Sequence, residues 1–562
     1  MLKLLFGTKL SIVSNFSWSM SWAIMAIIFW NYRNEHWGMW VFLVFAILIS
    51  WKLLGSGIKL WLQMNHQAML KLKSTETTDN FGKAGWASEE QIEAAGLFDP
   101  NEGIPIGAFN GRPLFYSPVH SLNVAPAGSG KTVSIALPAR AHGFRVPTSQ
   151  DRSGVASAVI TDLKGELAAQ THRLSKELHG QKVYFLNPDG LFDLPSHRVN
   201  PLQHVIDDLA YAPYHRYAMS DAKEIALQLL PEPPDSDKNA FFRNGSRSIL
   251  IILILWLAAE YAILCTLPDI WKMVSNPASL RERLEVAKEC EALSGDIGHL
   301  AAGLLETPND QFEDFRTGAI QAVEVFSPSG PLADAVSSTE FMFESLKHES
   351  AAVYIMARYD RKDAYAPWIG LIANMAIKAL IRAGGNVPVH LLLDEATNFK
   401  LPSLANDLTA LRGYGLRAHI ICQAKSELTR VYGKQATETF YSQTDLKQFF
   451  GVASYFEADE LSKMLGTYTI KTENLGAGKN PWDDLKDGIS ETSRPLMRPE
   501  EIMRMPASDQ LIFIDKDGLP PIYCQRLPYN LVQPWADLID DNPLEGGKLP
   551  ANPKIQLNYK EV

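Results

Sequence analysis

SLNVAPAGSGKT, residues 121–132, turns a short apolar run into a loop of small residues that ends in Gly130, Lys131 and Thr132. Phosphate groups concentrate negative charge, and a small-residue loop that enters a helix can surround them with backbone NH groups while a lysine adds a point charge. The reading that follows is a phosphate-binding loop built from Ala125, Pro126, Ala127, Gly128, Ser129, Gly130, Lys131 and Thr132, with the Thr132 hydroxyl placed to reach Mg²⁺. The usual pattern opens on a glycine and this one opens on Ala125, so the match is to the GKT ending plus its loop.

A second stretch, VPVHLLLDEATNF (residues 387–399), delivers Asp394 and Glu395 at the carboxyl end of an apolar strand-like run. In a parallel sheet that end faces the phosphate loop, so Asp394 can hold the metal and Glu395 can polarise an attacking water. A buried strand followed by a solvated acidic turn is the plainer alternative. Both motifs in this order favour a P-loop NTPase that takes ATP and Mg²⁺.

The chain has 562 residues, of which 46% are hydrophobic and 21% charged, which allows several domains and excludes a disordered chain. Cys265, Cys290, Cys422 and Cys524 lie far apart without metal-ligand spacing and read as reduced core residues. A net charge of -10 is awkward for a nucleic-acid partner, because phosphate neutralisation normally leaves a basic footprint. It leaves room for a local basic channel only.

No charge occurs between Leu10 and Trp30, a length of about 30 Å as a helix, which suffices to cross a bilayer. A second apolar run starts at Trp37 and passes Trp51, and only NYRNEH separates the two. The expectation is a transmembrane hairpin in residues 1–60, with helices at about 10–30 and 37–58. Lys3, Lys9, Lys52, Lys59, Lys71 and Lys73 flank the pair, against Arg33 in the loop, which places both termini in the cytoplasm. A cleaved signal peptide is the competing reading, but no small-residue cleavage site precedes the second run. A third apolar stretch, Ser248 to Leu264, would put Lys131 and Asp394 on opposite sides of a membrane if it spanned, so it reads as a core helix.

Strand-like runs recur at SLNVA, SAVITD, KVYFLN, AAVYIMA, VHLLLD, RAHIICQ and QLIFID, separated by helix-length segments, which predicts an α/β fold with a parallel sheet covered on both faces. The expected division is a nucleotide-binding domain in two parts, 61–204 and 341–535, an all-helical domain inserted at 205–340, and a flexible tail at 536–562 rich in Asp, Pro, Gly, Asn and Lys.

With these parts in order, the chain resembles the coupling proteins of type IV secretion and conjugation, membrane-anchored hexameric ATPases with a RecA-like P-loop domain. Beyond the two nucleotide motifs the resemblance rests on GKAGWAS (82–88), GIPIGAFNGR (103–112), TDLKGEL (161–167), FLNPDG (185–190) with NPL (200–202), FFRNGSRSIL (241–250) and LRGYGLRAHIICQ (411–423). It implies that Gln423 senses the γ-phosphate, where the alternative is a polar strand end. It also implies that Arg412 enters the neighbouring subunit's site, where the alternative is a solvated helix-end arginine. Asp162, Lys164 and Glu166 match a family signature, and a local ion-pair network reads them equally well. Many relatives carry TRSGKG where AGSGKT stands here. His390 reads as a core histidine.

The resemblance further implies a homohexamer at the bacterial inner membrane, whose partners are a relaxase–DNA complex or secreted effector proteins, single-stranded DNA and the components of the type IV secretion channel. Two functions then compete: a motor that couples ATP hydrolysis to transfer, and a nucleotide-switched receptor for protein substrates. ALSGD (292–296) faintly resembles the signature of ABC transporter ATPases, but it stands too far before Asp394. A chromosome-segregation translocase shares the motor core but not these signatures.

Overall fold

The computed structural model describes residues 18–28, 30–31, 40–56, 58, 80–101, 103–144, 155–210, 217–233, 239–476, 486–516 and 518–557. The chain divides into two compact units, residues 1–84 with 466–496, and residues 85–465 with 497–562.

The smaller unit contains the apolar helices Trp18–Ile28 and Trp40–Ser56. They are joined by reciprocal hydrogen bonds, Ser19 Oγ to Ser50 O at 3.1 Å and Ser50 Oγ to Ser19 O at 2.9 Å, so the two hydroxyls are satisfied without water. Ala26, Leu43 and Ala46 are buried, while Ile24, Ile27, Phe42, Phe45, Leu48 and Trp51 are exposed. An apolar surface of this kind on a helix pair suits a lipid surrounding. Residues 10–17, the loop at 32–39 and the connector at 59–79 lie outside the described residues. The same unit holds an antiparallel pair, Thr467–Gly476 with Lys486–Pro495.

The larger unit is organised by one eleven-stranded sheet. Its strands are β1 (Ile104–Phe109), β2 (Arg112–Tyr116), β3 (Ser121–Val124), β4 (Ser157–Asp162), β5 (Lys182–Leu186), β6 (Ala351–Met356), β7 (Val389–Leu393), β8 (Leu416–Cys422), β9 (Leu446–Phe449), β10 (Asp509–Ile514) and β11 (Ile522–Gln525). The spatial order is β2-β1-β11-β10-β9-β3-β8-β7-β4-β6-β5. From β9 to β5 every pairing is parallel. Every residue of β4, β6 and β7 is buried, as parallel strands covered on both faces require.

All seven strands expected from the sequence form, but the sheet is mixed. From β9 outward through β10, β11 and β1 to β2 every pairing is antiparallel, β10 being the QLIFID run expected to be parallel. A two-residue turn at Asn110 (φ 50°) and Gly111 (φ 79°) joins β1 to β2, and so short a link can only connect antiparallel strands.

Between β5 and β6 the described elements are helical. The apolar helix Ala240–Glu260 is mostly buried and packs on the helices Ala218–Leu229 and Asn309–Val323, as expected for a core helix. Tyr359–Arg382 is slightly longer and equally apolar, and it too is mostly buried, against the sheet at β4. Close approach in the helical region depends on Gly245, where a methyl group would meet the Phe315 ring at 2.4 Å. Gly245→Ala is expected to cost roughly 1–3 kcal/mol through overpacking, read as a lower melting temperature of the full chain.

The segment from Ala536, expected to be a flexible tail, is instead packed. Trp535, Ala536 and Ile539 are buried, Ile555–Gln556 pairs in parallel with Val532–Gln533, and Arg173 forms an ion pair with Asp540. The polar residues that gave the segment a disordered composition are used as hydrogen-bond partners: Lys548 Nζ donates to Ala536 O and Ile539 O, each at 3.3 Å.

Candidate functional site

The phosphate loop leaves β3 at Ala125, whose NH donates to Cys422 O at 3.1 Å and so ties the loop to the end of β8. Ser129 closes a turn, its NH and its hydroxyl both donating to Pro126 O, at 3.2 and 2.5 Å. Gly128 (φ 71°) and Gly130 (φ 86°) hold left-handed conformations that other residues adopt only under strain. Lys131 opens the helix that follows. Thr132–Ala136 forms a π-helical turn, closed by Leu137 NH on Thr132 O, before the helix Leu137–His142. Pro138 has no NH to continue an α ladder, which accounts for the wider turn at this point.

β3 neighbours β8, and β8 neighbours β7, so the loop, Gln423 and the carboxylate pair emerge at one edge. There a cleft of about 490 Å³ is lined by Ala127, Gly128, Gly130, Lys131 and Thr132 of the loop, by Asp394 and Glu395 after β7, and by Gln423 after β8. Ala125, Pro126 and Ser129 support the loop without lining the cleft. Arg412 does not line it either. It caps the helix Leu404–Leu411 and is exposed.

Lys131 is buried and its Nζ has no hydrogen-bond partner among the described residues. A buried ammonium left without a partner is costly, and an anionic ligand in the cleft relieves that cost. Opposite in charge, Asp162, Glu166, Asp394 and Glu395 share the cleft. Burial and the charge of Glu395 push the Asp394 carboxyl up to about 7, against the pull of Lys131. Burial also pushes Asp162 up to about 7, with Glu166 and Asp394 adding repulsion and a bond from Ala168 NH opposing it. Lys164 is held up by Glu166, Glu395 and Asp394, although burial works the other way.

Such crowded acids call for a cation. Mg²⁺ is held by one or two protein groups together with phosphate oxygens, and Thr132 and Asp394 in this cleft can supply such groups. The residues therefore fit a magnesium-bound nucleotide.

Glu395 is fixed for a polar task. It has φ 51°, its NH donates to Asp394 Oδ1 at 3.0 Å, and its carboxylate accepts from Asn398 Nδ2 at 2.5 Å and from Gln423 Nε2 at 3.4 Å. Thr161 Oγ1 donates to Asp394 O at 3.0 Å and anchors the turn to β4. Of the TDLKGEL signature, Asp162, Leu163, Lys164 and Glu166 line the cleft, and Lys164 Nζ stands 3.6 Å from Glu166 Oε1, so the ion pair and the site coincide.

Two contributions escaped the sequence reading. Tyr359, Tyr529, Asn542, Glu545, Gly547 and Leu549 also line the cleft, the last four in the segment read as a tail. Arg526, after β11, donates from Nη1 to Ser129 O and lies 5.0 Å from the centre of the Phe450 ring, bracing the loop from behind. No motif marks it, because the contact joins positions far apart in sequence. Arg526→Ala is expected to weaken ATP binding about tenfold by freeing the loop, measured by calorimetric titration.

Comparison with known proteins adds family context. Residues 74–540 match the family described as type IV secretory system conjugative DNA transfer. The conjugal transfer protein TraG of Escherichia coli is 25% identical over 523 residues, covering 82% of this chain and 78% of that protein. The protein VirD4 of Agrobacterium fabrum is 24% identical over 474 residues, covering 80% and 66%. Among solved structures, the bacterial conjugative coupling protein TrwBdeltaN70 has a TM-score of 0.59 at 18% identity, covering 81% of this chain and 96% of that one. The plasmid coupling protein TrwB in complex with ADP and Mg²⁺ has a TM-score of 0.58 at 18% identity, with the same coverage.

Proposed function

The chain belongs to the type IV secretory system conjugative DNA transfer family, and from that membership we propose that it is a coupling protein that binds and hydrolyses ATP to drive substrate into a secretion channel. The observation that carries this reading is Lys131, buried without a hydrogen-bond partner among the described residues, in a cleft that also holds Asp394 and Glu395. TrwB with ADP and Mg²⁺ shares the fold and supports ATP and Mg²⁺ as the ligands.

Backbone NH groups of the loop and Lys131 would bind the β- and γ-phosphates, while the Thr132 hydroxyl and Asp394 would hold Mg²⁺. When bound, that ion neutralises phosphate charge. Glu395 would orient the attacking water and accept its proton, and Gln423, hydrogen-bonded to Glu395, would report the γ-phosphate to β8. Arg412, exposed and outside its own chain's cleft, suits insertion into a neighbouring subunit of a homohexamer. The apolar helix pair and the lysines that flank it favour an inner-membrane hairpin with both termini cytoplasmic.

The cargo is relaxase-bound single-stranded DNA, recruited to the channel components. A net charge of -10 favours a second reading, a nucleotide-switched receptor for effector proteins. Phosphate release by the full chain separates the two. The motor predicts strong stimulation by single-stranded DNA, and recovery of activity when inactive Arg412→Ala and Lys131→Ala subunits are mixed, because one site then draws each working part from a different chain. Hydrolysis that ignores DNA would leave the receptor.

A further inference from the structure

We propose that the C-terminal loop, residues 542–549, is the nucleoside wall of the cleft, and that Val133, Leu137, Tyr529 and Leu549 form the slot that receives the base. The inference rests on the nucleotide reading of the site. It adds a place for the part of the ligand that phosphate chemistry leaves unassigned.

The cleft lining divides by chemistry. Lys131, Thr132 and the carboxylates suit phosphates and a cation, whereas Val133 and Leu549 present apolar surface, with Leu137 and Tyr529 buried behind them. Val133 and Leu137 belong to the helix that begins at Lys131, so a ligand whose phosphates sit at that helix start extends past them. Tyr529 and Leu549 supply the other side from the C-terminal segment. At about 490 Å³ the space is larger than a triphosphate alone needs and lies in the usual range for small-molecule sites. Leu549 is 40% exposed, an apolar side chain on an open wall that a purine face would cover.

The loop is held firmly enough to act as a wall. Asn542 is buried, and its Nδ2 donates to Glu166 Oε2 at 3.1 Å, which links the wall to the acidic side of the cleft. Asp540 NH donates to Gln170 O at 3.1 Å, Gly547 NH closes the loop on Asn542 O at 3.0 Å, and Leu549 NH donates to the Tyr529 hydroxyl at 3.0 Å. Among the described residues, no atom other than those of Gly547 and its chain neighbours lies within 4 Å of where a Gly547 side chain would begin.

The test uses the full chain with two ligands, ATP and inorganic tripolyphosphate, and a photoreactive analogue, 8-azido-ATP. Leu549→Asn should weaken ATP about tenfold and leave tripolyphosphate unchanged, since only ATP loses apolar contact. Photolabelling of the unaltered chain should mark the tryptic fragments 527–548 or 549–554. Label confined to fragments other than 132–140, 527–548 and 549–554 overturns the proposal, as does an unchanged ATP affinity or an equal loss of both ligands in Leu549→Asn. Lys131→Ala serves as the separate control: if it leaves tripolyphosphate binding intact, the phosphate site itself is misassigned and the failure lies with the function, not with the wall.

Discussion

Lys131→Ala removes ATP binding, with an expected loss in affinity of about 100-fold or more and hydrolysis at background. The charge is buried and its Nζ has no hydrogen-bond partner among the described residues, so apart from its pull on Asp394 the side chain does little for the nucleotide-free fold and much for an anionic ligand. Removing it leaves no carbonyl or carboxylate deprived of a hydrogen bond. The melting temperature of the nucleotide-free variant should therefore equal or exceed that of the parent chain, while the parent alone is stabilised by Mg²⁺ and ATP. A variant that binds normally, or one that simply fails to fold, would contradict this account of Lys131.

Glu395→Gln should separate binding from chemistry. As proton acceptor for the attacking water, Glu395 is worth about 10²–10⁴-fold in hydrolysis, and the amide cannot take the proton. Its charge also repels both the incoming phosphates and Asp394, whose carboxyl it helps to raise. Neutralising it should leave ATP affinity equal or tighter. Asn398 can still donate to the amide oxygen, and Gln423, whose bond is the longer, can turn its own amide to accept from the new NH₂, so the turn at φ 51° keeps its shape. Single-turnover phosphate release beside equilibrium binding reads both quantities, and a variant that hydrolyses at near-normal rate would remove Glu395 from the chemistry.

The parallel half of the sheet was legible because strands buried on both faces become unbroken apolar runs, as in AAVYIM and VHLLL. The loop and carboxylate pair were legible because their chemistry is local. What the sequence hid depends on distant partners. β9, LKQF, has polar Lys447 and Gln448 at its centre, and Gln448 belongs in a strand only because its Nε2 reaches Ile106 O at 2.7 Å. The GIPIGAFNGR stretch covers β1 and the start of β2, and its Asn110–Gly111 turn carries the hairpin. His390, read as a core histidine, is buried and shares a 2.7 Å hydrogen bond with His419, while its Nε2 has no partner. The C-terminal residues misled most. Asp, Asn, Gly and Lys there have the composition of a loose end, and nothing local reveals that Asp540 meets Arg173 or that Asn542 meets Glu166. Composition measures how little apolar surface a segment can bury, and this one is fixed by a few buried side chains such as Ile539 and Leu557 together with polar bonds to a surface built earlier in the chain.

The central claim is that the lysine of the loop and the acids after β7 serve one metal-bound triphosphate. Mn²⁺ in place of Mg²⁺, followed by pulsed electron paramagnetic resonance with ATP, tests it most directly. The account predicts phosphorus coupling to the metal in the parent chain, and loss of ATP-dependent metal binding in both Lys131→Ala and Asp394→Asn. Metal affinity and phosphorus coupling that survive unchanged in Asp394→Asn would contradict it.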